Sequence, residues 1–182
     1  MTTILDLPVH PLAVHAPIIL VALLVLLGLT YLFVPPVRRF VGWTVAALVL
    51  VTPAAAYGSI WSGQQLADHK YPDGWPEAVQ QHHDYGYWLF WTLVALIPMW
   101  FLFAGLDRGR RAALKRGGDS PAPAASEEGD TVPMNADDPA ATGRKVIMFV
   151  FGLIVLALLL LSAWWVFQSG HSGAEMIWGG TV

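Results

Sequence analysis

The stretch VIMFVFGLIVLALLLLSAWWVFQ, residues 146–168, decides the fold. It contains no charged residue and is apolar on every side through Leu156-Ala157-Leu158-Leu159-Leu160-Leu161. Crossing about 30 Å of hydrocarbon as a helix takes roughly 20 such residues. Working outward, blocks of the same kind occupy 11–34, 40–61 and 85–106. Backbone groups in lipid must be satisfied within the segment, so each block reads as a helix; the period-2 alternation of a membrane barrel strand is absent. The charged residues, 13% of the 182, fall to about half the share usual in a soluble domain. The expected fold is an all-α membrane protein, one domain comprising a four-helix transmembrane bundle in the lipid bilayer.

The cations give the orientation. Arg38 and Arg39 lie between the first two blocks. Arg108, Arg110, Arg111, Lys115, Arg116, Arg144 and Lys145 lie between the last two, and only Lys70 falls on the other side. The positive-inside rule then places both termini and the 62–83 loop outside the cell, in a multi-pass protein of the inner (plasma) membrane. The first ten residues lack the basic region of a cleavable signal peptide, so 11–34 reads as a retained helix. Segment 107–143, which includes DSPAPAASEEGDTVPMNADDPAATG, is rich in Pro, Ala, Ser, Gly and acids. It has almost nothing to bury and reads as a flexible, disordered cytoplasmic loop between helices 3 and 4. Pro53 is expected to kink the second helix, Pro35-Pro36 to end the first, and Gly170 to stop the fourth.

Chemistry points to the histidines. There are no cysteines, which excludes disulfides, iron–sulfur clusters and thiolate metal sites. No basic stripe with interleaved aromatics supports nucleic-acid binding. No nucleophile–base pair, phosphate loop or paired intramembrane carboxylates supports hydrolytic or phosphoryl-transfer chemistry, so an enzymatic role has no positive sign. Seven of the nine tryptophans map to the outer half, which an ordinary interfacial belt explains. His10, His15, His69, His82, His83 and His171, however, all fall on the outer side, at or beyond the ends of all four helices. A bundle with imidazoles near one end of several helices can converge them on a metal or haem. A single histidine at an interface is more often merely solvated, so only the set of six points to a ligand. The candidate ligands are His15 with His83 or His82, with His10 and His171 in reserve, and Asp84 and Glu175 to orient imidazoles from behind. Without thiolates the candidates are haem b, copper or zinc. A bare ion would use His15, His83 and His171. Haem leads because two imidazoles suffice for it, with Gly58, Ser59, Gly86, Gly170 and Gly173 leaving room for a flat ring. Against it, the outer side offers only Lys70 to meet two propionates.

The string His10-Pro11-Leu12-Ala13-Val14-His15-Ala16-Pro17 resembles the HPxxVHxP signature of a bacterial predicted-membrane-protein family, "domain of unknown function 2231". Gly170-His171-Ser172-Gly173-Ala174-Glu175-Met176-Ile177-Trp178-Gly179-Gly180 is similar to its Gly-rich closing motif. The four-helix layout agrees, so the resemblance covers nearly the whole chain apart from 107–143. Ala174 departs from the motif where a second glycine is expected. Gly179 stands near where relatives carry a further histidine, which removes one ligand. The resemblance implies no assigned activity; its layout is similar to small b-type cytochromes and supports haem by analogy only. Four functions are therefore expected to compete: haem-based electron transfer with other membrane or redox subunits, a cofactor-free accessory subunit of a respiratory or transport complex, a copper or zinc site, and an outer-face pH sensor.

Overall fold

In a computed structural model, residues 3–4, 7–118 and 139–179 are described. Thr3–Ile4 pairs antiparallel with Leu7–Pro8, and the described residues beyond them are helical or in short connections. The helices are α1 (Val9–Ala13), α2 (His15–Phe33), α3 (Arg38–Lys70), α4 (Glu77–Gly118) and α5 (Pro139–Trp178), with a 3₁₀ turn at Pro35–Val37. Among the described residues four helical stretches are long and apolar enough to span a membrane, and the protein is a multi-pass integral membrane protein. Each of α2 to α5 packs on two neighbours, α2 on α3, α3 on α4, α4 on α5 and α5 back on α2, which closes a four-helix ring. One end collects the start of α1, the end of α3, the start of α4 and the end of α5; it carries the histidines and is called the histidine end below. The other is the arginine end.

The buried stripes explain the ring. They run Pro17, Val21, Leu24, Gly28, Tyr31 on α2 and Leu89, Leu93, Leu96, Trp100, Phe103, Asp107 on α4. Steps alternate between three and four residues, an average of 3.5 that keeps one seam facing its neighbours when helices cross at a shallow left-handed angle. Gly28 belongs to the seam because Leu159 of α5 fills its missing side chain: a Cβ there would lie 2.8 Å from Leu159 Cδ1. The opposite faces carry exposed Leu, Phe and Trp, as lipid contact requires.

Prolines in this bundle free carbonyls that other helices then use. A helical proline cannot donate to the carbonyl four residues earlier. Pro17 thus releases the Ala13 carbonyl, which accepts from Ser59 Oγ of α3 at 3.1 Å. Pro35 and Pro36 release the Tyr31 and Leu32 carbonyls. Arg38 takes both, donating from Nε to Tyr31 O at 2.7 Å and from Nη2 to Leu32 O at 2.8 Å. Pro53 lies inside α3 and Pro98 inside α4, and both helices continue past them.

At the histidine end three boundaries lie beyond the expected ones. α3 runs on to Lys70, α4 begins at Glu77, and α5 passes through Gly170 to Trp178. The 20-residue rule counts hydrocarbon thickness, whereas here the polar helix ends pack on one another beyond it. Within the expected 107–143 loop, α4 extends to Gly118 and α5 starts at Pro139. The remainder, 119–138, lies outside the described residues.

Candidate cofactor-binding site

The projecting helix ends enclose a cavity of about 450 Å³ at the histidine end, with walls from α1 to α5 and the Tyr71–Pro76 connection. Gly74 adopts φ 126° in that connection, a conformation that suits only a residue without Cβ. The turn brings Trp75 over the cavity, where its indole N–H donates to Asp68 at 3.0 Å. The walls are mostly apolar, with His10, His82, His83 and Lys70 as the polar exceptions of interest.

His10 and His82 face each other with ring centroids 6.2 Å apart and planes at 89°. His10 Nδ1 lies 3.0 Å from the Ser59 carbonyl. A carbonyl only accepts, so Nδ1 carries the proton and Nε2 holds a lone pair. On the other side, Ser172 Oγ donates its one hydrogen to the Ser169 carbonyl at 3.2 Å. It must therefore accept from His82 Nδ1, 2.9 Å away, and the same tautomer results. Among the described residues neither Nε2 has a hydrogen-bond partner. A ligating histidine shows this arrangement: Nδ1–H held by an oxygen behind it, Nε2 presented in front. Glycines make room for both rings. A Cβ on Gly63 would meet His10 Cε1 at 2.8 Å, and one on Gly173 would meet His82 Cε1 at 3.2 Å.

The remaining histidines stand apart from this pair. His83 lines the cavity, but its Nε2 is 3.0 Å from the Gln64 amide, its Nδ1 is 3.8 Å from Asp84, and its ring sits between Trp75 and Tyr87. His15 is exposed and does not line the cavity. His171 is exposed as well, stacked on Phe167 with Nε2 3.2 Å from Glu175. His69 is exposed. Asp84 and Glu175 do accompany imidazoles, but those of His83 and His171. His15, His83 and His171 are not gathered, and among the described residues no group of three His, Cys, Asp or Glu could hold a metal ion. Of the small residues expected around a flat ring, Ser59, Gly86, Gly170 and Gly173 line the cavity and Gly58 does not. Sequence reasoning missed the partners Ser62 and Ser172, and Gly63 beneath His10.

A second polar cluster, unforeseen, lies at the arginine end. Asp107 is 1% exposed and takes Arg38 Nη1 at 2.8 Å, Arg111 Nη2 at 2.8 Å and the Tyr31 hydroxyl at 3.0 Å. Trp100 packs edge-on against the Tyr31 ring at 4.8 Å. The cluster ties α2, α3 and α4 together. No family model, no curated protein and no solved structure matches this chain.

Proposed function

We propose that the protein holds haem b between His10 and His82 and serves in electron transfer, with the histidine end on the outer face of the plasma membrane. The observation that carries the reading is the pair of opposed imidazoles, each with Nδ1 engaged and Nε2 without a hydrogen-bond partner among the described residues. The residues that would hold the group are His10 and His82, whose ring centroids lie 6.2 Å apart, a separation that a pair of metal–imidazole bonds of about 2.0–2.1 Å would span. Haem also fits the donor set better than a bare ion. Two protein ligands complete it, whereas zinc or copper would draw on three or four, and no such group occurs among the described residues.

The haem would supply one-electron chemistry. The chain's own residues do the rest: Ser59 and Ser172 fix the imidazole tautomers and orientation, glycines admit a flat ring, and Lys70 is the cation in the cavity wall for an anionic side group. The family resemblance belongs to this reading, since its first motif supplies His10 and its closing motif supplies Ser172 and Gly173. The test is the haem content of purified protein. His10→Ala and His82→Ala are each expected to lose most of it, while His15→Ala and His171→Ala keep it. Haem retained without His10 and His82, or lost with His15, would refute the assignment.

A further inference from the structure

At the arginine end, a groove of about 330 Å³ opens between α2, α4 and α5. Its walls are apolar, including Leu32, Phe103, Met148 and Leu156, and Gly152 lets the Phe103 ring approach (a Cβ there would lie 3.4 Å from it). Phe33 and Phe149, 66% and 67% exposed, flank the opening on the lipid-facing surface. Three cations border the groove: Arg38, Arg110 and Lys145. Their charge is poorly balanced. Asp107 is already shared between Arg38 and Arg111, which leaves that cluster at +1. Arg110 and Lys145 are exposed and have no acidic partner among the described residues.

We infer that this groove binds an anionic glycerophospholipid, the phosphate headgroup between Arg110, Lys145 and the outer edge of Arg38, and an acyl chain along the apolar wall. Charge complementarity selects the headgroup: cationic pockets between transmembrane helices favour anionic lipid, and each Lys or Arg near the surface contributes. Apolar walls select the chain, because a free phosphate would leave them bare. The site is separate from the haem reading and stands or falls without it.

The test uses the full-length protein in nanodiscs of phosphatidylcholine with or without phosphatidylglycerol, followed by native mass spectrometry of retained lipid. Wild type is expected to retain phosphatidylglycerol over phosphatidylcholine. The double variant Arg110→Gln/Lys145→Gln spares the Asp107 cluster, so it should fold, and should retain phosphatidylglycerol on the order of tenfold less. Glycerol phosphate, a headgroup without chains, should not displace the lipid. Equal retention of the two lipids, or of phosphatidylglycerol by wild type and variant, overturns the inference. So does full displacement by glycerol phosphate, which would mark a phosphate site. A third outcome overturns it too: a preference that emerges only after Glu127, Glu128, Asp130, Asp137 and Asp138 are made amides would give the groove to the chain's own acidic segment.

Discussion

His10 and His15 are five residues apart, and at 3.6 residues per turn that separates them by about 140° around a helix. Only one can face the bundle. The seam of α2, followed backward from Pro17 in steps of three and four, reaches Val14 and His10. The seam of α4, followed back from Leu89, reaches Gly86 and His82. The phase of the core repeat therefore singles out the two histidines that line the cavity in opposition, and it was present in the sequence throughout. Nearness to a helix end, the ground for pairing His15 with His83 or His82, ignores which way a side chain points. What pattern could not give is the tautomer: it depends on Ser172 of α5 meeting His82 of α4, a contact across 90 positions. At this scale Gly63 is the sharpest probe. In Gly63→Ala the new methyl group would lie 2.8 Å from the anchored His10 ring, which must move. The variant is expected to fold with helicity unchanged and, with His10 as the proposed haem ligand, to bind at most half as much haem as wild type, read by absorbance per protein. Undiminished haem would show that His10 need not sit where it does.

Among the elements, the join of α2, α3 and α4 rests on one carboxylate. Asp107 continues the seam Leu89, Leu93, Leu96, Trp100, Phe103, so an acid stood on a core stripe in plain sight. In sequence it falls within a segment that reads as a polar loop, and Arg38 reads only as a topogenic charge, so neither residue announces a packing role. Buried ion pairs are weak evidence of net stability, yet removing one partner from a buried pair costs about 3–5 kcal/mol because the other charge is left alone. Asp107→Asn strands both guanidinium groups and is expected to destabilise the bundle by roughly that amount, measured by reversible denaturation in mixed micelles. Arg111→Gln should do much less, since Arg111 is 37% exposed and water can take its place. Arg38→Gln should resemble Asp107→Asn, because Arg38 also closes the carbonyls that Pro35 and Pro36 release. If Arg111→Gln proved the more damaging of the arginine changes, the capping role given to Arg38 would be wrong.

For the whole molecule, four spans were legible from hydrophobic length alone, because the bilayer imposes that length on any helix that crosses it. Helix ends were not: beyond the hydrocarbon nothing in composition separates a helix that continues from a loop. The assembly of the site depends on those continuations, since His82 and Ser172 lie on the parts of α4 and α5 outside the blocks 85–106 and 146–168. The proposed orientation rests on nine of the ten cations falling at one end. The chain has no cysteine, so Asp73→Cys and Ser126→Cys make clean reporters. In intact cells a membrane-impermeant maleimide is expected to label position 73 and not 126. The reverse pattern would put the cavity on the cytoplasmic face.

The central claim is that two imidazoles from α1 and α4 hold one haem. It is tested most directly by the reduced-minus-oxidised absorption spectrum of the purified full-length protein, recorded with and without carbon monoxide. The expected spectrum has the Soret and α bands of a b-type haem, unmoved by carbon monoxide because His10 and His82 would both ligate the iron. A spectrum without haem bands, or one in which carbon monoxide binds at once, would contradict it.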